Sequence, residues 1–140
     1  GLRGRAATEA DQGLMLVLDS GGVSRLSART KTAAALIGSL VDQQLWPPIV
    51  PTMVLVESLH GDSGRDANTN RFLKTCIIEH DVSEATARRA AQLRRLARTG
   101  SAVNALVVAL AEPGGTVLTG DRADLEALAA NADRVAIEII

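Results

Sequence analysis

The hydrophobic positions come in short continuous runs separated by stretches with helical spacing, and this alternation sets the first expectation. Leu14–Leu18 (LMLVL) is apolar without interruption, as a strand buried on both faces must be. It stops at Asp19-Ser20-Gly21-Gly22, where the apolar pattern breaks. Between Lys31 and Leu45 the apolar residues Ala34, Leu36, Ile37, Leu40, Val41 and Leu45 recur at helical intervals, and Trp46-Pro47-Pro48 ends that helix. Ile49-Val50 reads as a strand stub, and Pro51-Thr52 opens a helix carrying Val54, Leu55, Glu57 and Leu59.

The polar stretch 61–70 reads as a loop, with a helix resuming over 71–75 and a strand at Cys76-Ile77-Ile78. Ser83–Thr99 is a helix with Ser83 as N-cap, Glu84 in its first turn and Gly100 just past its end. Ser101–Glu112 is capped by Ser101 and almost wholly apolar, so it belongs at the centre of the fold. Thr116–Thr119 is a strand, Asp121–Ala130 a helix, and Val135–Ile140 an alternating strand at a sheet edge. Strands alternating with helices predict an α/β protein, a three-layer α/β/α sandwich on a mostly parallel sheet of about five strands.

Length changes this picture little: 140 residues make one domain over 14–140, preceded by a leader over 1–13 that is expected to be partly of cloning origin. The leader lacks the apolar stretch of a signal peptide, and no run approaches the roughly 20 residues that span a bilayer. A cytoplasmic protein is the expectation. With Cys76 the sole cysteine, neither an intrachain disulfide nor a cysteine-based zinc site is available. Glu57 and His60 are three apart, but a carboxylate-bridged metal bundle would need a second Glu-x-x-His. Trp46 and Phe72 are the only aromatic residues, so the core must be built from Ala, Val, Leu and Ile. That poverty also excludes nucleic-acid binding by stacking bases on rings.

The chemistry is expected at the carboxyl ends of the strands, where open parallel sheets bind ligands. Asp19 follows the first strand, Asp121 follows the Thr116–Thr119 strand, and Asp124 stands three residues on. Glu57 enters from the helix after Ile49-Val50, and Asn104 lies in the first turn of the apolar helix. Helix capping explains Asp and Asn at several of these positions one at a time. Glu57 fits it less well, because it interrupts an apolar sequence where a charge needs a partner or a metal. Carboxylates gathered at one edge repel one another until a divalent cation neutralises them. An all-oxygen donor set selects Mg²⁺ or Mn²⁺, and such a site suits phosphodiester hydrolysis. Thr119 and Ser20 are hydroxyls placed to orient a water or a phosphate oxygen, though Ser20 fits a simple turn hydrogen bond.

Three segments carry a resemblance: LVLDSGGVSRL, PTMVLVESLHG and GSAVNALVVALAEPGGTVLTGDRADLEAL. Together they resemble the PIN-domain ribonucleases, and among these the VapC toxins of bacterial toxin–antitoxin pairs, over essentially Leu14–Ile140. The resemblance implies catalytic acids at Asp19, Glu57 and Asp121, with Asp124 auxiliary in metal binding. It implies Mg²⁺- or Mn²⁺-dependent cleavage of structured RNA (tRNA or rRNA), a homodimer, and a VapB-type antitoxin that blocks the groove. At Asn104 the family pattern has Asp. A carboxamide oxygen can ligate a metal but brings no charge, so this form is expected to be inactive or impaired. Both a deliberate replacement and a natural loss fit that departure. The rival reading is a non-catalytic module that keeps the fold and binds RNA or the antitoxin.

Charge completes the argument. Fifteen basic residues against sixteen acidic give a net charge of −1, which by itself speaks against a nucleic-acid clamp. All the basic residues but Lys31 and Lys74 are arginines, and Arg88, Arg89, Arg94, Arg95 and Arg98 crowd one helix. Arg94 with Arg98, and Arg25 with Arg29 nearer the acids, are the candidate contacts for RNA phosphate or the antitoxin. A receiver domain would want a second acid near Asp19 and a lysine near the last strands. An aspartyl phosphatase would want Asp where Gly21 stands.

Overall fold

A computed structural model describes residues 15–120 and 122–140. Five strands and seven helices alternate through them in three layers, the α/β/α arrangement that the pattern predicts. The strands are β1 (Leu16–Leu18), β2 (Ile49–Pro51), β3 (Ile77–Glu79), β4 (Thr116–Thr119) and β5 (Ala136–Ile139). The helices are α1 (Ser20–Ser27), α2 (Lys31–Asp42), α3 (Thr52–Ser58), α4 (Ala67–Leu73), α5 (Glu84–Ala97), α6 (Ala102–Ala111) and α7 (Ala123–Ala129).

The sheet runs β3-β2-β1-β4-β5 and every pairing is parallel. β1 is central and buried along its whole length, which is why its sequence is apolar at every position. Helix α1 packs on α2, α3 and α4, whereas α5, α6 and α7 pack on one another. The strand order reverses between β1 and β4, and the crevice beyond their carboxyl ends is where a fold of this kind binds ligands. Asp19 follows β1 and Gly120 follows β4, so the topology brings the predicted edge together.

Several boundaries differ from the expectation. Ser20–Ser27 forms α1, where the sequence suggested only a break. Gly21 and Gly22 make this possible: a Cβ on Gly21 would meet the Gly120 nitrogen at 2.6 Å, and one on Gly22 the Leu118 oxygen at 2.5 Å. Two weak helix formers are therefore the price of seating the first turn of α1 against the end of β4. Helix α4 begins at Ala67, inside the expected loop. Helix α5 keeps its Ser83 cap but ends through Arg98, which takes the left-handed conformation at φ 61° in place of a glycine. Arg98, expected inside this helix, thereby stands just past its end.

The core is Leu, Val and Ala with Phe72, and no isoleucine is among the fully buried residues, contrary to expectation. Isoleucines instead flank the core, half-buried, in β2, β3 and β5. Phe72 meets Trp46 edge-on with ring centres 6.0 Å apart, so the only two rings are used in packing. Among the described residues no helix is long and apolar enough to cross a membrane.

Candidate functional site

Asp19 is the best-held of the predicted site residues. It is 6% exposed at the N-cap of α1, and its Oδ1 accepts the Gly22 N–H at 2.8 Å. The Thr119 hydroxyl at the end of β4 donates to its Oδ2. Thr119 is fully buried, so it cannot touch RNA or an antitoxin as expected. It is a positioning residue that fixes the Asp19 carboxylate between the two central strands. A carboxylate accepts at about four lone-pair positions, so one such group can hold structural hydrogen bonds and still ligate a cation.

The structure brings Asp19, Glu57, Asn104 and Asp124 to the lining of one polar cavity of about 400 Å³, together with Ser20 and Ser101. Asn104 stands in the first turn of α6, its N–H donating to the capping Ser101 hydroxyl at 3.0 Å. Asp124 stands in the first turn of α7 and accepts the Thr99 hydroxyl at 2.7 Å. Capping and helix dipole account for these two placements, as they do in part for Asp19.

Glu57 has no such explanation. It lies in the last turn of α3, where the helix dipole disfavours an acid. It is exposed rather than sunk among apolar neighbours, and Val56 beside it is 82% exposed. The expectation of a charge forced into an apolar environment is thus corrected: α3 buries Val54 and turns Val56 and Glu57 outward. No hydrogen bond or ion pair links Glu57 to another described residue, and it lines the cavity wall.

Asp121 lies outside the described residues. Among the described ones, no three His, Cys, Asp or Glu side chains are grouped closely enough to make a metal centre. The donor set is nevertheless of the kind that Mg²⁺ uses: hard oxygens around a cavity with room for the several waters that this ion keeps while one or two carboxylates ligate it. Cys76 offers no alternative chemistry, since burial pushes its thiol up to about 11 and keeps it protonated.

The arginines divide by partner. Arg88 pairs with Glu84 one turn away, fully in solvent. Arg89 forks onto Glu112, with Nε to Oε1 at 2.9 Å and Nη2 to Oε2 at 2.8 Å. Arg94 donates from Nε to the Gly100 carbonyl at 3.1 Å, next to the cavity-lining Ser101. Arg25, Arg29, Arg95 and Arg98 are exposed and without an ion pair among the described residues.

Two acids outside the site were missed by sequence reasoning. Asp66 is 3% exposed and accepts the backbone N–H groups of His60, Gly61 and Asp62 at 2.9 to 3.2 Å. Those donors, His60 foremost, hold its carboxyl below the ordinary aspartate range. The spacing of Asp62, Gly64 and Asp66 is the one signal that pointed to an ordered turn. Glu112 is also held below its ordinary range, chiefly by the Arg89 guanidinium acting against burial.

No protein-family model and no curated protein matches this chain.

Proposed function

We propose that this chain is a PIN-type, VapC-like endoribonuclease dependent on Mg²⁺ or Mn²⁺, impaired in this form by Asn104. The observation that carries the reading is the convergence of Asp19, Glu57, Asn104 and Asp124 on one cavity at the strand-order reversal. Capping does not require Glu57 to be there.

Asp19 is immobilised by Gly22 and Thr119, so its carboxylate is oriented before any ligand arrives. Glu57 reaches the same cavity from α3, and Asp124 and the Asn104 carboxamide from α7 and α6. One or two of these carboxylates, with the Asn104 carboxamide oxygen, would hold the cation, its remaining positions taken by water. When bound, it supplies Lewis acidity toward a phosphodiester oxygen and makes a neighbouring water easier to deprotonate. Asn104 contributes an oxygen without a charge, which weakens that site. Arg94, whose Nε meets the Gly100 carbonyl next to the cavity-lining Ser101, and Arg98 just past the end of α5 supply phosphate contacts for structured RNA, as do Arg25 in α1 and Arg29 just after it. A VapB-like antitoxin segment would compete for the same groove, and the active unit would be a homodimer.

The test is cleavage of a structured RNA in Mn²⁺ by this chain and by Asn104→Asp. The reading requires the variant to be the more active; equal rates would sink it. Changing Arg94 and Arg98 together to Ala should lower RNA affinity and reduce the salt slope by about one to two. RNA retained equally with and without divalent ions, and never cleaved, would favour the non-catalytic binding module instead.

A further inference from the structure

A second cavity of about 410 Å³ opens beside the acid one, and Ser20, Gly21 and Glu57 line both. We propose that it is a nucleoside pocket, taking the ribose and base edge of the nucleotide next to the phosphodiester held in the acid cavity. The proposal rests on the nuclease reading for its neighbour and deepens it by naming what binds alongside.

Its size falls in the range of ligand pockets, about 300–1,000 Å³. Its lining argues for the ligand class. The hydroxyls of Ser20, Ser24, Ser58 and Thr69 and the imidazole of His60 belong to groups that both donate and accept hydrogen bonds. Ribose hydroxyls and base edges present the same mixture. No lysine, arginine or aromatic residue lines it, so neither a phosphate nor a stacked base is its natural occupant. Its one carboxylate, Glu57, accepts from a sugar hydroxyl and repels an anion.

Ser58 gives the independent pointer. Its Oγ is buried yet has no hydrogen-bond partner among the described residues. Buried polar atoms are normally satisfied, and an exception needs an explanation. A rotation about χ1 that brings this hydroxyl toward the cavity would let a ligand supply the missing partner. His60, for its part, is held at the cavity by its backbone: Asp66 clamps the N–H groups of residues 60 to 62, so this wall is formed in advance of binding.

The experiment is a ¹⁵N-resolved NMR titration of the intact chain with the four ribonucleosides, their 2′-deoxy counterparts, and inorganic phosphate. Saturable shifts are expected at the amides of Ser24, Ser58, His60 and Thr69 with at least one ribonucleoside. The deoxy compound should bind more weakly, because the 2′-hydroxyl is what separates RNA from DNA at a given site. Phosphate should leave these amides unmoved. Ser58→Ala and Thr69→Val should each weaken binding by about three- to tenfold. Ser58→Ala should leave the melting temperature unchanged or higher, since it removes an unsatisfied group. Absence of saturable shifts, or shifts indifferent to both variants, overturns the pocket. A lowered melting temperature in Ser58→Ala would mean that the hydroxyl serves the fold, and would overturn the assignment too. Nucleoside shifts without RNA cleavage by Asn104→Asp would remove the nuclease and leave a nucleoside site. Cleavage without nucleoside shifts would do the reverse.

Discussion

Helix α6 carries Asn104 in its first turn and hands the chain to Glu112 just past its last, about 12 Å further along the axis. The polar groups at those two ends are treated in opposite ways. At the far end Glu112 is only 12% exposed in its side chain, and its oxygens are taken by the Arg89 fork and by the Asp133 N–H at 2.8 Å. At the near end Asp19 and Asp124 each receive a hydroxyl, while Glu57 receives nothing from the described residues. An acid matched to a guanidinium and a backbone donor stabilises a junction. An acid such as Glu57, without a partner among the described residues and lining a cavity, does not, and the fold keeps it where a ligand can supply the positive charge. The difference is one of pairing, and it separates an architectural carboxylate from a candidate functional one.

The largest expected effect strikes at the near end. Asn104→Asp should raise Mn²⁺-dependent RNA cleavage by about 10- to 100-fold, the scale on which changes around a metal site act. Millimolar Mn²⁺ should also raise the melting temperature of the variant more than that of the parent, as ligand linkage requires. If neither changes, the near end is a set of caps.

Arg89→Ala tests the far end. It strands a partly buried Glu112 and should cost about 1–3 kcal/mol in denaturant unfolding, less than a fully buried pair because Arg89 is one-third in solvent. Binding at the cavity should not respond. The pH dependence has a definite sign. The Glu112 carboxyl titrates lower in the folded chain than in the unfolded one, so the pair contributes fully above the ordinary glutamate range. That contribution drains away as pH falls through the lowered folded value. Glu112→Gln should therefore flatten the acid limb of a stability profile.

Asp66→Ala should act locally. Amide exchange at His60, Gly61 and Asp62 should accelerate, while the strands keep their protection. Wild-type stability should likewise fall as pH drops below the usual aspartate range, because the Asp66 carboxyl is lowered on folding. The smallest effect belongs to Arg88→Ala, which removes an exposed one-turn pair with Glu84 and should cost about 0.3–0.5 kcal/mol, vanishing in high salt.

Much of this was legible in the chain because it depends on local periodicity. The uninterrupted apolar run at β1, the serine caps of α5 and α6 and the alternation in β5 all state their surroundings in their own residues. Helix α1 was not legible: its Gly-Gly start reads locally as a break, and only the nearness of Leu118 and Gly120 explains it. The exposure of Glu57 was hidden for a related reason, since a seven-residue helix can turn out residues that look buried in a linear reading.

By itself, then, the sequence determined the class of fold, the parallel sheet and the set of polar residues bound for one edge, because strand and helix periods are local properties of the chain. Tertiary structure alone decided which carboxylates are matched and which are left facing a cavity. Arg89 and Glu112 are 23 positions apart, and Thr119 and Asp19 are 100 apart. Only the folding of distant segments onto one another decides whether a charge meets a partner.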